Sequence, residues 1–174
     1  MIALHGAGEA GKGTVVGSRG WRDDYDLGRA HERLKAPPLT VADFHSFVRP
    51  ARLSAINAEL GARPYRGLTV ACPYTPRLRD RSAAGAAAYA RFVTSELIGR
   101  VRREMAPGAA VGIDGVSMGG RLALLIGLTH AKLFTSIGTL QPAISVSEAP
   151  ELSELAAKAI VGGKPRLRLV TSEG

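Results

Sequence analysis

The sequence predicts an α/β fold in which helices cover both faces of a mainly parallel sheet. Short apolar runs alternate along the chain with longer segments of helical periodicity. Helical segments of this length suit the crossover between two parallel strands. The 174 residues are 45% hydrophobic with a mean hydropathy of +0.05, which is enough to bury one core. We therefore predict one domain over residues 1–174.

The elements follow from the local patterns, in chain order. Residues 6 to 39 carry glycines and arginines without a clear period, which predicts a long irregular loop. The predicted strands are MIALH (1–5), GLTVACP (67–73), AVGID (110–114), FTSIGTLQP (134–142) and RLRLVTS (166–172). The predicted helices are VADFHSFV (41–48) after an N-cap at Thr40, LSAINAEL (53–60), a long helix from Ser82 to Glu104, RLALLIGL (121–128) and ELSELAAKAI (151–160).

Composition and charge argue against several classes of function. The net charge is +8, but the arginine runs, such as RLRDR at 77–81, are short and separated, and aromatics are only 5% of the chain. This pattern argues against a nucleic-acid partner. No apolar stretch is long enough for a membrane helix, and the residues after Met1 lack the pattern of a leader peptide, so we expect neither a membrane partner nor a targeting signal. Cys72 is the only cysteine, so we expect no disulfide and no thiolate metal cluster, which fits a reducing, cytoplasmic location. The His, Cys, Asp and Glu residues lack metal-ligand spacing, and we expect no metal site and no cofactor.

The segment LHGAGEAGKGT, residues 4–14, has two competing interpretations. Gly6, Gly11 and Lys12 have the spacing of a P-loop, with Thr14 one place after the usual position, and residues 6–14 would then bind a nucleotide in a kinase-like protein. Against this, the following TVVGSRGWRDD has no amphipathic period, so no long helix would aim its dipole at phosphate. The other interpretation is the oxyanion loop of a serine hydrolase, in which His5-Gly6 follows a strand.

The segment GVSMGG, Gly115–Gly120, favours the hydrolase. It places Gly115, Ser117 and Gly119 in a G-x-S-x-G pattern between an apolar strand and an apolar helix, and Gly120 follows directly. In this context the serine occupies a strained turn, and only very small side chains fit two residues before and after it. The Met118 N–H then lies at a helix start, where it can bind an oxyanion.

VGIDGVSMGGRLALLIGL followed by FTSIGTLQPAIS resembles the esterase D and enterochelin-esterase-like branch of the α/β-hydrolase fold. The resemblance implies that Ser117 is the nucleophile and that the amides of Met118 and Ala7 form the oxyanion hole. Gly6 and Gly8 would let that loop approach the substrate. The implied reaction is cleavage of a small carboxylic ester or thioester through an acyl-enzyme on Ser117.

The triad order of this fold is serine, acid, histidine, and here the sequence departs from it. No Asp follows Ser117, and the only later histidine, His130, should lie too far along its helix to reach the serine. Glu173 is the only carboxylate in the region of the triad acid. We therefore expect an incomplete, nearly inactive hydrolase domain whose remaining part is supplied in cis or by a second chain. The alternative is a binding protein that keeps the hydrolase fold without its chemistry.

Overall fold

The computed structural model describes residues 1–105, 108, 110–162 and 165–171. In these residues four parallel strands form one sheet in the order β1-β2-β3-β4. The strands are β1 (Ile2–Leu4), β2 (Gly112–Gly115), β3 (Ser136–Leu140) and β4 (Arg166–Val170). The predicted α/β fold with a mainly parallel sheet is confirmed.

Helices connect the strands and fill the long segment between β1 and β2. They are α1 (Ala7–Ala10), α2 (Thr14–Gly17), α3 (Gly20–Asp23), α4 (Leu27–Lys35), α5 (Pro50–Ala62), α6 (Ala83–Arg91), α7 (Ile98–Met105), α8 (Met118–Thr129) and α9 (Ala149–Gly162). Two 3₁₀ turns lie at Val41–Phe44 and Val146–Glu148, and the π-helical segment Phe92–Leu97 joins α6 to α7. Ser82 caps α6 as predicted, because its hydroxyl accepts the Gly85 N–H at 3.1 Å.

The long irregular loop predicted for residues 6–39 is wrong, because α1 to α4 occupy much of it. Helix α4 shows why the sequence pattern did not predict a helix in this segment. It is nine residues long, and its three apolar side chains, Leu27, Ala30 and Leu34, are at most half-buried, so few residues of a mostly polar segment carry its helical period. Ion pairs one turn apart, Arg29 with Asp26 and Lys35 with Glu32, support it instead.

Two other predicted elements are shorter than expected. The helix predicted for 41–48 ends at Phe44, because His45 and Ser46 have positive φ angles of 48° and 68°. The strand predicted for 67–73 contacts β1 only around Ala71, which exchanges 2.9 Å hydrogen bonds with Ala3 and Met1. It is therefore a single bridge at the edge of the sheet.

The chain divides into two compact units, residues 1–20 with 69–174 and residues 21–68. The second unit contains α4, α5 and the turn between them, and polar contacts hold it together. Arg33 binds the Asp43 carboxylate at 2.7 Å, and the Asn57 side chain bonds both backbone groups of Leu39 at 2.7 and 2.8 Å.

Helix α8 forms the centre of the first unit. All ten residues from Gly119 to Leu128 are buried, as expected for a helix that is apolar nearly all round. It packs on β1, β2 and β3 and also contacts α6 and α9. At its C-terminal half, Gly127 lies against the Ile137 side chain of β3. This packing fixes where α8 begins, which is the position of the predicted nucleophile. No helix among the described residues is long and apolar enough to cross a membrane.

Candidate functional site

The turn between β2 and α8, called the elbow below, has a strained backbone at Ser117. Ser117 has φ +53° and ψ −118°, a region that costs a non-glycine residue about 1–3 kcal/mol. Its N–H donates to the Leu140 carbonyl at 2.9 Å, and its carbonyl accepts from Ala143 and Arg121 at 3.0 Å each. The residue is half-buried, so the hydroxyl is not sealed inside the core. The neighbouring backbone thus holds this conformation from both sides.

The glycines of the motif are required by close backbone approaches. A Cβ on Gly115 would overlap the Gly119 carbonyl and lie 2.7 Å from the Gly120 nitrogen. A Cβ on Gly120 would lie 2.5 Å from the Thr139 hydroxyl. Side chains cannot occupy such distances. At Gly115 the obstacle is backbone, as the steric reason for G-x-S-x-G requires, whereas at Gly120 it is the Thr139 side chain.

Gly119 brings the elbow next to the end of the first strand. A Cβ there would overlap the Leu4 carbonyl and lie 2.6 Å from the His5 carbonyl. Ala7 begins α1 two residues further on, after Gly6 as its extended N-cap. Ala7 and Met118 are each the first residue of a helix, so neither N–H has an acceptor one turn back within its helix. The first turn of α8 therefore lies against the end of β1, two residues before Ala7.

His5 is a structural residue and not a base. It is completely buried, and its Nε2 accepts the Thr75 N–H at 2.8 Å. That bond leaves the proton on Nδ1, which donates to the Gly6 carbonyl at 2.9 Å. The Thr75 hydroxyl in turn accepts the His5 N–H at 3.1 Å. Both ring nitrogens are thus used to fix the strand end that leads into Ala7.

The other histidines divide between the two units. His130 caps the C-terminal end of the 12-residue helix α8, which places it about 18 Å along the helix from the elbow at 1.5 Å per residue. His31 and His45 belong to the second unit, where His31 Nδ1 lies 2.9 Å from the Tyr65 hydroxyl. The candidate acid Glu173 lies outside the described residues. No histidine in the described part of the first unit is thus placed to deprotonate Ser117.

An ion cluster that the sequence patterns did not predict lies beside the elbow. Glu148 accepts hydrogen bonds from Arg121 of α8, from Arg81 at 2.6 Å and from the Ser145 N–H at 2.8 Å. Burial alone would raise the pKa of Glu148, but these donors lower it to about 2. Two signals could have indicated the cluster: an arginine inside an apolar helix, and the capping-box spacing of Ser145 and Glu148.

The P-loop interpretation of residues 6–14 finds no support in the structure. The amides that would bind phosphate are used within the turn: Ala10 N–H donates to Gly6, Gly11 N–H to Ala7 and Lys12 N–H to Glu9. The helix that follows, α2, is only four residues long. It cannot provide the dipole of a phosphate-binding helix.

A family model described as Putative esterase matches residues 72–160, just over half of the chain. The chain belongs to this family. The match includes the elbow, the whole of α8 and the Glu148 cluster, whereas β1 and Ala7 lie outside it. Membership in the Putative esterase family assigns the chain to hydrolases that act on esters. A search of curated proteins gave no match.

Proposed function

We propose that this esterase-family chain carries the nucleophile and oxyanion hole of a serine esterase that cleaves a small carboxylic ester or thioester. The observation that carries the proposal is the backbone of Ser117, which is strained at φ +53° between a half-buried strand and a buried helix. Strain of this kind persists only where the surrounding structure enforces it, and it is concentrated at active sites. A plain strand-to-helix turn would not need it.

In the proposed reaction the Ser117 Oγ attacks the carbonyl carbon of the substrate, and its proton passes to a base. The amides of Met118 and Ala7 donate hydrogen bonds to the oxyanion that forms. The tetrahedral intermediate collapses, and the alcohol or thiol leaves with the proton from the base. Water then attacks the acyl-enzyme, which releases the acid and restores the Ser117 hydroxyl.

We further propose that the base and its orienting acid come from outside the described part of the first unit. His5 is used by the backbone, and His130 lies at the far end of α8. The rest of the hydrolase domain, in cis or as a second chain, would supply them. Without a histidine beside it, the serine keeps the high pKa of an ordinary alcohol and is a poor nucleophile. The 174-residue chain by itself should therefore react slowly.

A fluorophosphonate probe tests the proposal, because it labels only activated serines. The full-length protein should be labelled at Ser117, and Ser117→Ala should abolish both labelling and hydrolysis of p-nitrophenyl acetate. Ser95, an exposed serine in the π-helical segment of the first unit, provides the control. Ser95→Ala should leave labelling unchanged. Labelling that survives in Ser117→Ala, or an unlabelled full-length protein, would refute the esterase mechanism and favour a binding protein with this fold.

A further inference from the structure

One carboxylate beside the elbow joins two arginines that are far apart in sequence. Glu148 binds Arg121 Nε from α8 and Arg81 Nη2 from the segment before α6. Its side chain is 12% exposed, and that of Arg121 is 4% exposed. We infer that Glu148 is a positioning residue that holds the Ser117 backbone in its reactive conformation. This inference rests on the proposed esterase function.

Two short routes connect the Glu148 carboxylate to the Ser117 carbonyl. The first passes through Arg121, whose side chain binds Glu148 and whose N–H donates to the Ser117 carbonyl at 3.0 Å. The second passes through Arg81, which binds both Glu148 and the Ala143 carbonyl at 2.6 Å. The Ala143 N–H is the other donor to the Ser117 carbonyl, also at 3.0 Å. Glu148 therefore fixes both residues whose amides hold the serine.

Nearby backbone strain makes this restraint necessary. The segment that follows β3 begins with Gln141 at φ +48°, and the Ser117 N–H is bonded to Leu140 immediately before it. The segment ends at Ser145, whose N–H and hydroxyl donate to Glu148 at 2.8 and 2.9 Å. When Glu148 loses its charge, the segment can relax and the elbow loses its second support.

Arg121 raises the cost of losing Glu148. Its Nη2 is buried without a hydrogen-bond partner among the described residues. Removing the carboxylate would leave the Nε unpaired as well, inside a helix that is otherwise apolar. The Asp80 carboxylate, whose pKa Arg121 helps to lower, would remain as a counter-ion beyond ion-pair distance. A buried cation that loses its direct ion-pair partner is unfavourable, so the first turn of α8 is expected to shift toward water or another acceptor. That turn contains Met118, the proposed oxyanion donor.

The second unit offers a closely matched control. Asp43 is also the third residue of a 3₁₀ turn, it accepts from the Thr40 N–H and hydroxyl at 2.7 and 2.9 Å, and it binds Arg33 at 2.7 Å. Its side chain is 11% exposed, almost as little as that of Glu148. Its partners Thr40 and Arg33 belong to the second unit. Asp43→Asn thus removes a comparable capped ion pair whose partners all belong to the second unit.

The experiment compares Glu148→Gln with Asp43→Asn in the full-length protein, using p-nitrophenyl acetate hydrolysis and thermal denaturation. Glu148→Gln should lower kcat about 10- to 100-fold with KM changed less than about twofold, as for a misplacement of the reacting group by about 1 Å. Asp43→Asn should leave both constants unchanged. The inference is overturned if Glu148→Gln keeps the wild-type kcat, or if Asp43→Asn lowers kcat equally.

Two further measurements keep the test decisive. If Glu148→Gln does not fold, Arg81→Lys and Arg81→Met replace it. The lysine should retain more of kcat because it keeps a charge near the carboxylate, and equal values for the two variants would overturn the inference.

If the wild type shows no Ser117-dependent hydrolysis, the esterase proposal fails. Amide exchange then tests the restraint alone: Glu148→Gln should speed exchange at the Ser117 and Ala143 amides about tenfold or more relative to Leu125, and unchanged exchange would overturn it.

Discussion

Replacing Gly119 by alanine should separate the start of α8 from the end of β1. The added Cβ would overlap the Leu4 carbonyl and lie 2.6 Å from the His5 carbonyl. Ordinary contact begins at 3.4 Å, so the His5 backbone would have to retreat by the difference, about 0.8 Å. The Leu4 carbonyl cannot move freely, because it accepts the Val116 N–H at 3.2 Å. The clash must therefore widen the gap between the elbow and the strand end that leads to Ala7.

This displacement sets the size of the effect. Overpacking of this kind typically costs about 1–3 kcal/mol, which lowers Tm by about 3–10 °C for a chain of this length. A shift of about 1 Å in a catalytic group costs about 100-fold in rate, so fluorophosphonate labelling of Ser117 should slow about 10- to 100-fold in Gly119→Ala. Thermal denaturation and labelling kinetics of the full-length protein measure the two effects.

Gly99→Ala provides the control, because a Cβ at that position in α7 meets only the flexible end of Arg103 at 3.5 Å. An alanine inside a helix should raise the free energy of unfolding by about 0.5–1 kcal/mol there, with labelling unchanged. If Gly119→Ala matches the wild type in both Tm and labelling rate, the steric account of the elbow is wrong.

Three other substitutions give independent tests. Ser117→Gly should be more stable to urea than Ser117→Ala by about 1 kcal/mol, because only glycine tolerates φ +53° without strain; equal stability would count against the strain. His5→Phe should lower the free energy of unfolding in urea by about 1–3 kcal/mol, since the buried Thr75 N–H loses its acceptor; an unchanged value would contradict the assigned bond. The pKa of Glu148 falls from 4.5 in its unperturbed state to about 2 in the fold. The charged carboxylate should therefore contribute fully to the free energy of unfolding above about pH 4.5, and this contribution should be lost as the pH falls toward 2. The loss should be at most about 3 kcal/mol before solvent screening. Glu148→Gln should remove that pH dependence from acid unfolding curves, and a variant curve parallel to the wild type would refute it.

Local patterns in the sequence are sufficient to predict the central part of the fold. The apolar period of α8, the strand β2 before it and the glycines between them predict the elbow, because each of these features is set by neighbours within a few residues. The capping residues Thr40 and Ser82 were found for the same reason. Where the local signal is weak the prediction fails, as in α4, which is nine residues long, contains no buried residue and has only three apolar side chains.

The sequence by itself determined the α/β class, the strained serine turn and the need for glycine around it, since backbone sterics act over a few bonds. Only the tertiary structure decided what surrounds that turn. The partners of His5 lie 70 residues away at Thr75, and those of Glu148 lie 27 and 67 residues away at Arg121 and Arg81. Such contacts depend on strand order and helix packing, which bring distant segments together, and no periodicity along the chain records which side chains will meet.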